Sequence, residues 1–411
     1  MKILHVNKFL YRRGGAEAYM DDVASLQKQG GHEVEFFGMQ HPQNEPRTYE
    51  KLFPSYIEFN PLPHSPLAKI KAFGRMFWSR SAAKGMEKVI EDFKPDIVHL
   101  HNIYHQLSPS ILKPIAAKKI PAVMTLHDYK LACPTYQFFT HGKVCEACMG
   151  RKFYWATLKR CKDGSFFSSA AAMLELSFHT FFGAYQPIKL FLCPSHFLAS
   201  KMKEARVFPD RLRVLNNFVD AREIRPKEIP GGNVIYAGRL SYEKGIDTLI
   251  EAFATINENI QLEIAGDGPE RERLERLAQA KAPGRIIFHG RLGKSELLDF
   301  VRNALVAVLP ARWQENQPIS VLEAFACGVP VISSNLGGLP ELVESGVTGE
   351  TVPANNPEAL AEAIRKIIHN PNTAFEMGKR ARERVLQEFS PEVHLKKLHA
   401  FYDEAMRCAH S

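Results

Sequence analysis

Two glutamates eight positions apart, Glu315 and Glu323, bound the segment Glu315-Asn-Gln-Pro-Ile-Ser-Val-Leu-Glu323, where a strand end runs into a helix. Pro318 suits a first helical position, since the N–H it lacks would be unpaired there anyway, so the spacing predicts a helix beginning at Gln317 or Pro318. The free amides of such a turn point out of a sheet edge and favour anions, phosphates above all. Glu315 sits just ahead of that anion site. Glu323 falls inside the apolar run Val-Leu-Glu-Ala-Phe-Ala-Cys-Gly, where an ionised carboxylate needs a hydrogen-bonding partner. A ribose diol would serve; water or a buried arginine are the other readings.

A second constellation, Gly238-Arg-Leu-Ser-Tyr-Glu-Lys-Gly245, follows an apolar strand. Arg239 and Lys244 are two cations one loop apart, suited to clamp a diphosphate, or else two solvated surface charges. Gly266-Asp-Gly-Pro269 and Gly337-Gly338 mark further strand ends and by themselves signal only turns. Near the N-terminus, Gly14-Gly-Ala-Glu17 follows a first strand, so Gly15 could bring its backbone up to a phosphate at a helix start. It is not the G-x-G-x-x-G fingerprint. His127-Asp128 ends another strand, where an imidazole either touches a sugar hydroxyl or developing charge, or is merely structural. Four of the seven cysteines are grouped as Cys133-x11-Cys145-x2-Cys148-x12-Cys161. That spacing suits a closed tetrahedral thiolate site, structural zinc before an iron–sulfur cluster; the plain alternative is four ordinary thiols.

Positioning these residues requires repeated strand–helix units. Short β-branched runs at Lys2–Val6, Glu33–Phe37, Asp96–His101, Ala122–His127, Leu190–Pro194 and Leu212–Asn216 alternate with amphipathic stretches such as Ala16–Lys28, Pro109–Lys118 and Ser169–Tyr185. The pattern restarts at Asn233–Ala237 and continues through Leu262–Ile264, Ile286–Phe288, Leu305–Leu309 and Pro330–Ser333. It predicts an α/β protein of two doubly wound parallel-sheet domains. The polar segment 217–232, with two Pro and two Gly, reads as the linker. We expect an N-terminal domain over 1–219, with a Cys-rich insert at about 133–161, and a C-terminal domain over 220–390. Residues 391–411 should form a helix crossing back to the first domain. Domains of this kind face one another with the C-terminal edges of their strands, so the site should lie in the cleft between them.

The chain has 411 residues, 45% hydrophobic and 24% charged, with 26 Gly and 26 Pro, which excludes collagen-like, low-complexity and mostly disordered classes. Its net charge of +8 is unevenly placed. Residues 1–219 hold 30 Lys and Arg against 18 Asp and Glu, whereas residues 220–411 hold 23 against 27. The excess therefore belongs to the first half, which suggests an anionic partner there rather than a nucleic acid along the whole protein. The N-terminus lacks the apolar core of a signal peptide, and Phe166–Phe182 is too interrupted to span a bilayer. A cytoplasmic protein is expected. Leu67–Arg80 mixes basic and aromatic residues and could lie on an anionic membrane face or be a plain solvated helix.

In their order along the chain, Gly14-Gly15-Ala16-Glu17, Pro95-Asp-Ile-Val-His-Leu-His101, His127-Asp128, Gly238-Arg239 with Glu243-Lys244-Gly245, Gly266-Asp-Gly-Pro269, Glu315…Glu323 and Gly337-Gly338-Leu-Pro-Glu341 resemble the retaining glycosyltransferases of family four, of the polysaccharide- and glycolipid-assembly type. The resemblance covers nearly the whole chain. It implies the GT-B fold and a hexosyltransferase-type transfer from a nucleotide diphosphate sugar to a saccharide or lipid-linked acceptor, with retention and no metal required for catalysis. Carried over by position, Arg239 and Lys244 hold the diphosphate, Gly15 the distal phosphate, Glu315 the donor-sugar hydroxyls and Glu323 the ribose. The amides of Asn316, Gln317, Ile319 and Ser320 meet sugar and phosphate, and His127 sits at the donor sugar. The catalytic set is then Glu315, His127, Arg239 and Lys244. The alternatives are a GT-B phosphorylase, a sugar-nucleotide epimerase, or a catalytically silent nucleotide-sugar-binding relative.

Overall fold

The computed structural model describes residues 1–57 and 65–410; of residues 66–71 and 409–410 only the helical backbone is described. The first sheet contains β1 (Lys2–Val6), β2 (Glu33–Phe37), β3 (Ile97–Leu100) and β4 (Ala122–Thr125). After a two-stranded hairpin, β5 (Phe139–Thr140) and β6 (Lys143–Val144), it is completed by β7 (Leu190–Cys193) and β8 (Leu212–Val214). Its order is β2-β1-β3-β4-β7-β8 and all its pairings are parallel. The second sheet comprises β9 (Asn233–Ala237), β10 (Leu262–Ala265), β11 (Ile286–Gly290), β12 (Ala304–Leu309), β13 (Val331–Ser334) and β14 (Gly349–Val352), ordered β11-β10-β9-β12-β13-β14 and again parallel.

Helices cover both faces of each sheet, which is why β3, β4, β7 and β13 are buried at every residue rather than alternately. Each sheet has its own apolar core. The helix Pro391–His410 belongs to the first core, into which it sends Leu398, Tyr402 and Ala405. Strand order reverses between β1 and β3 in one sheet and between β9 and β12 in the other. The loops leaving those four strands open the crevice of each sheet.

The two crevices face one another. Tyr129 donates its hydroxyl to the Gln314 carbonyl (3.0 Å), Ser195 Oγ meets Asn316 Oδ1 (2.8 Å), and Glu341 accepts from the amides of His196 (2.9 Å) and Phe197 (2.5 Å).

Several elements differ from the sequence expectations. Pro318 is not the first helical residue but the cap: its ψ of 125° is extended and the helix runs Ile319–Ala326. The reason is a tertiary contact: Gln317 is held from both sides by Asn217, whose side-chain amide donates to the Gln317 carbonyl (2.8 Å) and whose backbone N–H donates to Gln317 Oε1. Pro109–Lys118 divides into a 3-10 turn, Pro109–Ile111, and a helix, Leu112–Ala117. The hairpin, β14 and the helices Tyr154–Leu158, His196–Glu204 and Pro371–Glu388 did not stand out in the sequence pattern. Of the basic–aromatic stretch Leu67–Arg80, side chains 67–71 lie outside the described residues. Beyond them Arg75 is turned inward, donating to the carbonyls of Gln106 and Ser55 (2.7 Å each), while Phe73 and Trp78 are exposed.

Candidate active site in the interdomain cleft

The second domain's wall is built on backbone contact. Gly337 has φ +64°, and a Cβ there would lie 2.1 Å from the Glu315 carbonyl; at Gly338 it would lie 1.9 Å from that of Asn316. The glycine pair thus lets the loop after β13 lie directly on Glu315–Asn316, with Gly338 N–H donating to the Glu315 carbonyl at 2.7 Å. Arg312 does the same work for the loop after β9. Its guanidinium meets Asp247 Oδ1 (2.5 Å) and Thr248 Oγ1 (2.9 Å), and its N–H donates to the Glu243 carbonyl. Lys244 is thereby delivered to Glu315.

Glu315 is 6% exposed and doubly held: Lys244 Nζ (2.5 Å) and Trp313 Nε1 (2.8 Å) both donate to its Oε1. Lys244 is therefore not the second free cation that spacing suggested. Arg239 is exposed, with no side-chain partner among the described residues. Glu323, half-buried in the helix Ile319–Ala326, likewise has no hydrogen bond or ion pair among the described residues, and burial raises its carboxyl above the usual range. The side chain of Asn316 bridges the domains through Ser195 and the Leu126 carbonyl, and that of Gln317 points into the linker. At those two positions only the backbone is left to meet a ligand. The amides of Ile319 and Ser320 open the helix. A Cβ on Gly15, which begins the helix Gly15–Gln29, would lie 4.0 Å from Ile319 Cδ1. Two helix N-termini, one from each domain, thus converge where they favour negative charge.

The first domain contributes a row of neutral histidines. His127 Nε2 is 3.1 Å from His101 Nδ1, His101 Nε2 is 3.1 Å from His5 Nδ1, and His5 Nε2 is 2.7 Å from Gln27 Oε1. The Gln27 carbonyl only accepts, so neutral rings must each donate through Nε2 and accept at Nδ1. That order leaves His127 its Nδ1 lone pair. Burial lowers His127 and His5 to about 4 and His101 well below its usual value, so His127 offers a hydrogen bond rather than a charge. Beside it lies a cavity of about 560 Å3 lined by Lys8, Asn102, His105, Asp128 and Lys162 of the first domain and Arg239 of the second. Burial lowers the Lys8 ammonium, opposed by Asp128 and Glu17, and raises the Asp128 carboxyl.

Of the four cysteines of the insert, Cys148 belongs to a small apolar cluster with Phe153, Ala156 and Leu176, Cys161 packs against it, and Cys133 sits in the first domain's core. All are free thiols. Cys133, Cys145 and Cys161 lie near enough to Cys148 to act on its thiol; among the described residues, the three donor atoms lying within 4.8 Å of one another belong to His5, His99 and His101, and those rings are hydrogen-bonded to protein groups. Sequence reasoning also missed Trp313, Arg312 and Asp247, which carry no motif of their own. The Gly337-Gly338 pair was the available signal, since adjacent glycines at a strand end mark close backbone approach.

Two parallel-sheet domains facing across a cleft with converging helix N-termini define a GT-B glycosyltransferase architecture. The model of Glycosyltransferase Family 4 matches residues 13–223 and that of Glycosyl transferases group 1 matches residues 221–384, so the chain belongs to glycosyltransferase family 4. It is 34% identical over 187 residues to glycogen synthase of Mycobacterium tuberculosis, a match covering 43% of this chain and 45% of that one; the chain thus spans about half the length of that relative. Its fold is similar to sucrose-phosphate synthase from Thermosynechococcus elongatus, with TM-score 0.72, 22% identity and 99% of both chains covered. It is also similar to Anabaena HepE in complex with UDP, with TM-score 0.68, 17% identity, and 98% and 100% covered.

Proposed function

We propose that this glycosyltransferase moves a hexose from a nucleotide diphosphate sugar to a saccharide or lipid-linked acceptor with retention of configuration. The observation that carries the reading is the anion site made by the two converging helix N-termini, together with an exposed Arg239 that has no side-chain partner among the described residues. The UDP bound by Anabaena HepE supports the same donor class. In this reading Arg239 and Lys244 hold the diphosphate, the Gly15 amide meets the distal phosphate and Glu323 takes the ribose hydroxyls. Glu315 and the amides from Asn316 to Ser320 orient the sugar, and His127 Nδ1 accepts from a sugar hydroxyl.

Both donors on Glu315 engage Oε1, which supports a positioning role for the carboxylate. The consistent route is front-face attack. The anomeric carbon–oxygen bond to the phosphate breaks, the acceptor oxygen bonds on the same face, and its proton passes to the leaving phosphate oxygen, whose charge the cations offset. A thermal-shift screen over UDP, GDP and ADP sugars, followed by turnover and NMR of the product anomer, tests it. An unchanged melting temperature with every nucleotide sugar, or a covalent glycosyl-enzyme on a side chain, overturns it.

A structural zinc on Cys133, Cys145, Cys148 and Cys161 is a separate proposal. Burial and the three sister cysteines push the Cys148 thiol up to about 12, so a thiolate there needs a cation to persist. Metal analysis of protein purified without chelator should give one zinc per chain; near-zero metal with four reactive thiols removes the idea.

A further inference from the structure

The helix Phe166–Phe181 is inside out. Phe167, Leu174, Phe178 and Phe181 share one stripe at helical spacing and that stripe is exposed, Phe167 at 83% and Phe181 at 84%. The opposite face is buried and carries the polar side chains: Ser169, Glu175 and His179. Glu175 is ionised there between Lys130 Nζ and His105 Nδ1, each at 2.8 Å, and His179 bonds the Met76 carbonyl at 2.9 Å. These buried bonds fix which face points out. The helix is thus not a core helix rotated by accident.

The exposed aromatics continue beyond it. Phe178 packs on Phe182 (4.6 Å between ring centres), which is 65% exposed, and on Phe77 (5.3 Å), whose neighbour Phe73 extends the surface. A contiguous aromatic face of this kind marks an interaction site on a folded protein. Next to it, the segment leading into the helix exposes Arg151, Lys152 and Arg160 without acidic partners among the described residues, and Lys159 lies over the exposed Trp155 ring at 5.9 Å. Exposed aromatics with exposed cations on the adjoining segment complement a layer that is apolar inside and anionic at its surface. Among the described residues no helix is long and apolar enough to cross a membrane, so the contact would be interfacial.

We propose that the face formed by Phe167, Leu174, Phe178, Phe181 and Phe182, with Lys152 and Arg160 beside it, docks on an anionic lipid bilayer. The same helix, through Ser168, Ala171 and Ala172, also lines the 560 Å3 cavity that Arg239 borders. Docking therefore brings the cavity to the bilayer surface; its use for a lipid-linked acceptor rests on the transfer reading above.

Co-sedimentation of the full chain with vesicles of phosphatidylcholine alone, and of phosphatidylcholine with phosphatidylglycerol, tests the docking without any sugar transfer. Binding should be strong and salt-sensitive on the mixed vesicles. The Phe167→Ser and Phe181→Ser variants should each weaken it about tenfold, and Lys152→Glu and Arg160→Glu each by about fivefold or more on anionic vesicles only. All four should keep the parent melting temperature. Absence of binding to both vesicles, or equal binding by the parent and the phenylalanine variants, overturns the proposal. So does light scattering that shows a dimer which Phe181→Ser dissociates, since a second copy would then cover the face. If vesicles bind as expected while no nucleotide sugar is turned over, the docking stands and the transfer reading fails.

Discussion

The two walls of the cleft are made in opposite ways. The second domain's wall is charged and stapled: Glu315, Lys244 and Trp313 hold one another, Arg312 and Asp247 hold the loop beneath, and glycines bring backbone onto backbone. The first domain's wall is a set of neutral histidines over a wide cavity, and between β4 and β7 it carries a long insertion with a hairpin, four cysteines and an outward-facing aromatic helix. Rigid charge suits a ligand whose own charge is constant. A roomy wall with an appended surface suits a ligand that varies in size and in where it is presented. The difference explains why motifs concentrate in the second half: stapled loops tolerate few residue types, whereas a cavity is defined by shape.

Acid should separate the walls most strongly. His5, His105, His127 and His394 each hold a value of about 4 in the first domain's core, below the ordinary 6.5. As pH falls through that window the unfolded chain takes up protons first, so stability present above pH 6.5 is lost on the way to 4, by roughly 1.4 kcal/mol per pH unit for each histidine. The second domain's His289 and His369 sit nearer the surface against Glu263 and Glu258. Hydrogen exchange at pH 5 should therefore show β1, β3 and β4 losing protection before β9 and β12; simultaneous loss would refute the contrast.

Removing the staple's cation comes next. Lys244→Ala should lower turnover about a thousandfold, on the order of 4 kcal/mol, with steady-state kinetics as the measurement. Gly338→Ala should cost about 2–3 kcal/mol in chemical denaturation, because its Cβ would overlap the Asn316 carbonyl, and should weaken nucleotide-sugar binding as Glu315 shifts. The smallest effect has two signs. Glu323→Gln should raise stability by less than about 1 kcal/mol, since a half-buried carboxylate with no partner among the described residues is relieved, yet reduce nucleotide affinity about tenfold in calorimetry.

Much of the architecture was legible in the chain itself. The alternation of β-branched runs with amphipathic stretches specified two parallel-sheet units, because parallel strands buried on both faces leave an unbroken apolar signature. Chain ends of elements were less legible, as Pro318 shows: its role as cap depends on Asn217, a hundred residues away, gripping Gln317. The short hairpin at Phe139–Val144 and the helix Tyr154–Leu158 had no period to read, being only one turn or two residues long.

Residue types and spacing by themselves determined the anion-favouring turn after Glu315, the linker and the uneven charge, since these follow from local backbone chemistry and counting. Tertiary structure alone decided which cations are open and which already have a partner. It paired Lys244 with Glu315, left Arg239 and Glu323 open, ordered the histidines from Gln27 outward and turned the phenylalanines of the inserted helix toward solvent. Those outcomes rest on distances between groups far apart in sequence, and on which face of a helix finds buried partners, neither of which any local pattern encodes.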